Sequence, residues 1–421
     1  MKPHQKKQTL FVYLSNHKVG QIDLSNKQFI FQYAHEWLIQ PNAIPLSLTL
    51  PLQSEAFESK KSQAFFRNLL PEGNVRQAVA RSLKISEQND FALLEALGGE
   101  CAGAIFVLPQ DAPPIEKQSY KALSAKELHN KINQLPTRPF LVGEEGIRLS
   151  LAGAQNKLPV YVKNNQIHLP LYTSPSSHIL KIPIPDLDNT VMNEAFCMTL
   201  AKRMGLPVPS VILHQGIETL YLVERYDRAY NPTGQLMRLH QEDFCQALGI
   251  SPDFKYEAEG GPSLQNCFDL IRQYSSQPAS DVKALLDWVI FNYFIGNADG
   301  HAKNLALLMT TNEGLRLAPF YDLICTRVYP ELTSRLAMKI GSENRPDWVM
   351  VRHFKKFAHQ VDIQSKWVIN TLHQFAQALP DKANQLANEY QATYGTTPIL
   401  AKIVKVIENQ VRQTLLALNQ T

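Results

Sequence analysis

The hydrophobic pattern of the chain changes period near residue 238, and no other feature limits the architecture as much. Before that point, short apolar runs alternate with polar positions and are cut by turn residues. After it, apolar residues recur every three or four positions over long stretches, the period of helices. A strand-rich part followed by a helical part is an α+β order.

The opening stretch, 8–34, alternates Leu10, Val12, Leu14, Val19, Ile22, Phe29 and Phe31 around turns at Ser15, Asn16 and Gly20, which predicts a small antiparallel sheet. Residues 46–52 read as a further strand, 64–83 as helix broken at Pro71, Glu72 and Gly73, 91–97 as a turn closing on Gly98 and Gly99, and 104–108 as a strand. The proline-rich run from Pro109 to Pro114 then marks a boundary near residue 112. Strands are expected at 159–162, 167–171, 179–184, 208–213 and 219–226, with one helix at 192–204. Helices follow at 241–249, 263–274, 282–295, 367–378, 381–394 and 398–418. The expected domains are therefore a β-rich 1–112, a sheet lobe 113–235 and a helical lobe 236–421.

At 421 residues the chain is long enough for a large core, and 44% hydrophobic against 19% charged residues excludes a disordered chain. A net charge of +4 leaves the partner open. The five cysteines are odd in number, scattered and without a CxxC pair, which fits reduced cytosolic thiols. The apolar run behind Lys2, Lys6 and Lys7 is too short for a signal peptide, and no apolar stretch approaches the roughly 18 residues of a membrane span. The expectation is a soluble, cytoplasmic protein with no membrane partner.

The sharpest constellation of polar residues runs from Gly296 to Asn304 and resumes at Pro319–Asp322. It contains Asp299, then Asn304, then Asp322. Phosphoryl transfer needs a carboxylate to orient the attacking hydroxyl and oxygen ligands for Mg²⁺, and protein kinases use this Asp-to-Asn spacing with a later Asp. Asn297 and Asp299 are also common turn and cap residues, so the spacing by itself leaves both readings open. Residues 150–157 form a small-residue turn in which backbone N–H groups can approach phosphate, with Lys157 adding charge; an ordinary hairpin turn reads the same way. Lys181 stands inside an apolar strand and either meets an anion or snorkels to water. Glu194, near the head of a helix, is either its ion-pair partner or a helix-start acid. Residues 224–226 end the last strand before the helical part, where a kinase hinge or any interdomain linker would lie. Strand-rich lobe, hinge and helical lobe is the order of a bilobal kinase.

With these pieces in place, the chain resembles the HipA family of bacterial toxin Ser/Thr kinases from about residue 8 to the C-terminus. The resemblance rests on FRNLLPEG (66–73), SLAGAQNK (150–157), SHILKIP (177–183), Asn193 with Glu194, VERYDR (223–228), YEAEGGP (256–262), DGHAKN (299–304) and PFYD (319–322). It implies a bilobal, protein-kinase-like (phosphoinositide-kinase-like) fold with an extra N-terminal β-rich subdomain and an all-helical C-terminal lobe. It also implies a protein Ser/Thr kinase using ATP and Mg²⁺, with Asp299 as catalytic base and Asn304 and Asp322 as metal ligands. Ala152, Gly153, Ala154, Gln155, Asn156 and Lys157 would be the phosphate loop and Lys181 the ATP lysine. Glu224, Arg225 and Tyr226 would form the adenine hinge, with His301, Ala302, Lys303 and Tyr321 as further nucleotide contacts. Ser150 matches the family's self-phosphorylated serine. The implied partners are a HipB-like helix-turn-helix antitoxin, operator DNA reached through it, and an aminoacyl-tRNA synthetase target, glutamyl-tRNA synthetase foremost. Two other readings stay open: a nucleotide-binding co-repressor working with such an antitoxin, and a small-molecule or lipid kinase.

Overall fold

The alternating N-terminal pattern folds as a meander in the computed structural model, which describes residues 8–25, 28–114, 117–144, 146–149, 151–310 and 312–419. Gln8–Leu14 pairs antiparallel with His17–Ser25, which pairs with Gln28–Tyr33, and Ile105–Leu108 adds to the other edge of Gln8–Leu14. Gly20 stands where no side chain fits, since a Cβ would lie 2.3 Å from the Gln32 carbonyl oxygen. The helices Ser59–Arg67 and Gly73–Leu83 are separated at Pro71 and Glu72 as the sequence suggests.

Two segments of this N-terminal part differ from expectation. Residues 46–52 form no strand: Ser47 and Leu50 make one isolated bridge, and the Tyr33 hydroxyl takes the Leu46 N–H and donates to the Leu50 carbonyl. One buried tyrosine thus satisfies the backbone groups that a neighbouring strand would have used. Asp90–Leu97 is a helix rather than a turn, with the Asn89 side chain capping it by accepting from Ala92 N–H. Phe91, Leu93, Leu94 and Leu97 are all buried, so the segment lacks the polar face by which helices are recognised.

The described residues divide into two compact units. The first holds residues up to Ile182, His214–Asp253 and Leu307–Thr310. Besides the meander it contains an antiparallel sheet in which Ser119–Ala122, Gln166–Leu171, Lys157–Lys163, His178–Lys181 and Thr219–Glu224 lie side by side. Its core is one apolar cluster that begins at Leu10, passes through Phe65, Leu94 and Leu149, and reaches Leu180 and Leu222. Where 241–249 reads as one helix, Gln241–Asp243 is a short strand and Phe244–Leu248 a helix, because Asp243 caps the helix in a box with Gln246.

The second unit holds Pro183–Leu213, Phe254–Ala306 and the described residues from 312 onward. Its helices are Thr190–Arg203, Leu264–Tyr274, Pro278–Ile295, Val351–Gln360, Ser365–Tyr394 and Pro398–Asn419. It is not all-helical: Gly314–Leu317 is a strand, entered through Gly314 at φ 74°. The helix Ser365–Tyr394 runs unbroken through Pro380, where a stop is expected. Leu372, Leu379, Ala383 and Leu386 remain buried across the proline, and that burial outweighs one lost backbone hydrogen bond. Among the described residues no helix is long and apolar enough to cross a membrane.

Candidate active site

The catalytic-loop candidate grows out of the helix Pro278–Ile295. That helix ends on Gly296, whose φ of 71° is the left-handed turn that glycine adopts without penalty. A Cβ there would also lie 2.9 Å from Val406 Cγ1. The loop that follows is held by neutral amides and a hydroxyl. Asn292 donates its amide to the Trp288 carbonyl and accepts from the Asn297 amide at 2.6 Å. Asn297 Oδ1 in turn accepts the Asp299 N–H at 3.0 Å, and Thr326 Oγ1 takes the Ala298 N–H at 2.7 Å.

These bonds fix the loop backbone while the Asp299 side chain stays 51% exposed, accessible to a substrate. Its Oδ1 accepts from the Tyr256 hydroxyl at 2.7 Å and lies 3.9 Å from His301 Nε2. Asn304 is buried, and its amide nitrogen donates to the Asp299 carbonyl at 3.0 Å. That bond commits the nitrogen and orients the side chain, so the oxygen is the atom available to a hard cation. Tyr321 donates its hydroxyl to the Lys303 carbonyl at 2.7 Å, closing the short turn Ala302–Asn304. Asp322 has φ 54°, a conformation that aspartate tolerates better than most residues. Three residues on, Asn193 clamps Cys325 by accepting its N–H and donating to its carbonyl, both at 3.0 Å. Asp299, His301, Ala302, Lys303, Asn304, Tyr321 and Asp322 thus belong to one unit. Among the described residues no three His, Cys, Asp or Glu side chains gather as a metal site. The amide oxygen of Asn304 and the carboxylate of Asp322 are hard donors, the kind of which Mg²⁺ takes one or two from protein, with its remaining ligands from phosphate and water.

The phosphate-loop and lysine candidates lie in the first unit. Gly153 has φ 107°, and a Cβ on it would sit 2.8 Å from Lys157 Nζ. The Gly153 carbonyl accepts the Glu72 N–H at 3.1 Å, and Gln155 donates to the Ile182 carbonyl at 3.2 Å. Lys157 and Lys181 are buried and directly opposite one another on adjacent antiparallel strands. Lys157 Nζ donates to the Ala152 carbonyl at 2.5 Å, and Lys181 Nζ lies 5.7 Å from the centre of the Tyr221 ring. Asn156 carries a buried Oδ1 with no hydrogen-bond partner among the described residues, a further polar atom in the same loop. Ala152 and Ala154 contribute small side chains to it. Ser150 lies outside the described residues. Glu194 is buried within the helix Thr190–Arg203 of the second unit.

The hinge candidate shows what the sequence conceals. Glu224 is exposed at the end of its strand, and the Tyr226 hydroxyl donates to Gln241 Oε1. The Arg225 side chain is unavailable to a ligand. It grips Asp227 with two bonds, at 2.9 and 2.7 Å, and reaches Glu100 Oε1 at 3.2 Å and the Cys101 carbonyl at 3.0 Å. Arg228 joins Glu100 at 2.8 Å, and Arg238 also pairs with Glu100. All five side chains are buried. Burial pushes the Glu100 carboxyl up, but Arg238, Arg228 and Arg225 outweigh it and hold it well below the usual carboxylate range. Asp227 behaves likewise: burial opposes Arg225 and Arg228, and the net shift is downward, to about 2. The charged run Arg225, Asp227, Arg228 straight after an apolar strand is the signal that could have announced a buried ion cluster. Tyr256 and Asn297 were also missed as site residues.

Comparison with known proteins gives the family. The profile of the family described as "HipA-like C-terminal domain" matches residues 149–383, and that of "HipA N-terminal domain" matches 10–108. The "Serine/threonine-protein kinase toxin HipA" of Shewanella oneidensis is 32% identical over 387 residues, 88% of each sequence. "Putative kinase Y4mE" of Sinorhizobium fredii is 45% identical over 317 residues, 74% of this chain and 75% of that one. Among solved structures, Shewanella oneidensis HipA in complex with HipB and its operator DNA superposes with a TM-score of 0.83 at 28% identity, covering 98% of both chains. The chain belongs to the HipA family of kinases.

Proposed function

We propose that the protein is a Mg·ATP-dependent Ser/Thr protein kinase and the toxin of a toxin–antitoxin pair, with a bilobal kinase-like fold. Lys157, Lys181 and the backbone of 152–157 hold the phosphates. The backbone of 224–226 receives adenine, and His301 and Tyr321 add nucleotide contacts. Asn304 and Asp322 hold the metal. Asp299 takes the proton of the acceptor hydroxyl as its oxygen attacks the γ-phosphorus, and the bond to the β-phosphate oxygen breaks to release ADP. The observation that carries this reading is the half-exposed Asp299 carboxylate, tied through its own carbonyl to Asn304 five residues on.

The Shewanella relative is named a toxin and crystallised with HipB and operator DNA. That supports a helix-turn-helix antitoxin as partner here, with DNA reached through it. Continuing the same reading, residues 1–112 form an N-terminal subdomain, 113–235 the nucleotide lobe and 236–421 the lobe of the catalytic loop. The target is an aminoacyl-tRNA synthetase in the cytoplasm, and phosphorylation of Ser150 silences the kinase. The test is intact mass and phosphopeptide mapping after incubation with Mg·ATP. Wild type should gain phosphate at Ser150, and Asp299→Asn should slow the transfer by about 10²–10⁴-fold while still binding ADP. An Asp299→Asn variant that transfers phosphate at the wild-type rate refutes Asp299 as the catalytic base, and a wild type that binds ADP but transfers phosphate to no protein refutes the kinase reading.

A further inference from the structure

Tyr256 comes from a segment to which the sequence assigns no chemistry, yet its hydroxyl is 2.7 Å from Oδ1 of Asp299. We infer that Tyr256 is the positioning residue of the catalytic carboxylate: it anchors Oδ1 and so makes Oδ2 the oxygen that receives the acceptor proton. This inference rests on the kinase reading above.

The phenol is well placed for that task because its own position is over-determined. Its carbonyl accepts the N–H groups of Glu259 and Gly261, at 3.0 and 2.9 Å, in a turn that needs both glycines. Gly260 has φ 92°, and a Cβ on Gly261 would lie 2.2 Å from the Phe254 carbonyl oxygen. The next residue ties the turn to a second segment: the Glu257 N–H donates to the Ala337 carbonyl at 3.1 Å, and its carboxylate accepts the Lys339 N–H at 2.6 Å. The ring meets His301 edge-to-face, 5.3 Å between centroids, which sets the direction of the hydroxyl.

An exposed aspartate in water samples several side-chain orientations, and each one moves the basic oxygen by more than an ångström. A neutral phenol is a donor that removes this freedom without adding a permanent positive charge beside the base. With Oδ1 committed, the acceptor hydroxyl meets Oδ2 in one geometry. The alternative, that the phenol plugs the acceptor's place, predicts the opposite kinetic sign.

Tyr256→Phe keeps the ring, the turn and the contact with His301 while removing only the hydroxyl. In the full-length protein, with Mg·ATP and Ser150 or a peptide acceptor, kcat should fall about tenfold while the KM for ATP stays within about twofold. Introduced into Asp299→Asn, the same change should have no further effect, because Tyr256 acts through the carboxylate. ADP binding and Tm, unchanged in Tyr256→Phe, show that the variant is folded. An unchanged kcat, a raised kcat or an additive loss in the double variant overturns the inference. If instead wild type itself transfers no phosphate, the kinase reading has failed and not this inference alone; if Asp299→Asn retains the wild-type rate, the carboxylate that Tyr256 would position is not the base.

Discussion

Two groups of charged side chains in this molecule are built on opposite plans. Around Glu100, three guanidinium groups and two carboxylates are sealed from solvent, and each charge is answered by another charge. Around Asp299, the carboxylate stays half exposed, and its neighbours are a phenol, the amides of Asn297 and Asn304 reaching its backbone, and a histidine ring at 3.9 Å. The difference follows from what each must do. A carboxylate locked to permanent cations in a dry interior holds two strands of chain together and gives up proton chemistry. A carboxylate that must accept a proton needs access and an orientation set by groups that do not neutralise it.

The contrast is broken most sharply by removing one charge from each group. Glu100→Gln leaves Arg225, Arg228 and Arg238 facing Asp227 alone in a buried site, so stability should fall by about 3–5 kcal/mol. Urea unfolding measures it. Asp299→Asn should leave the unfolding midpoint where it is, although it removes the activity. If Glu100→Gln costs less than about 1 kcal/mol, the cluster is hydrated and the stated contrast is wrong.

One more carboxylate, outside both groups, lies between the two plans. Glu242 is buried with hydrogen bonds from Ser47 Oγ at 2.6 Å and the Leu48 N–H at 3.1 Å, but with no guanidinium partner among the described residues. Burial is the largest influence and pushes its pKa up to about 7, against the opposing pull of those two donors. The folded state therefore prefers the protonated acid. Its contribution is fully present below the ordinary carboxylate range and is lost as pH rises through about 7. The loss between pH 4.5 and pH 8 is up to about 3 kcal/mol, and Glu242→Gln should flatten that slope and be the more stable form at pH 8. Denaturation midpoints of both proteins across this range decide the matter; parallel slopes would show Glu242 to be ionised throughout.

These regions also differ in how far the sequence betrays them. The proposed catalytic loop is local: Asp299 and Asn304 sit in one hexapeptide, so their spacing is visible before any fold is known, although by itself it left a cap-and-turn reading open. The strands and helices with a single buried face were equally visible, because period alone marks them. Arg225 was assigned to the hinge with its neighbours because its true partner, Glu100, lies 125 residues away. Tyr256 stands within YEAEGGP but was given no role for the same reason, since it lies 43 residues from Asp299. Residues 46–52 and 90–97 were misread because one buried phenol and one asparagine cap, not hydrophobic period, decide their backbones. Pro380 was read as a stop because the burial that carries the helix past it comes from tertiary packing.

Asn297 tests the finest part of the contrast, whether neutral groups alone place the catalytic loop. Its side chain joins the end of the helix Pro278–Ile295 to the loop, donating to Asn292 Oδ1 and accepting the Asp299 N–H. Asn297→Ala removes both bonds at a buried site, which should cost about 1–3 kcal/mol of stability. If those bonds also set where the carboxylate stands, kcat should fall by about tenfold with the KM for ATP unchanged, since the loop backbone shifts while Lys157 and Lys181, the lysines proposed to hold the phosphates, do not. Stability that falls while kcat holds would assign Asn297 to the helix terminus alone. The placing of Asp299 would then rest on the Thr326 hydroxyl and the Asn304 amide, which hold the flanking Ala298 N–H and the Asp299 carbonyl.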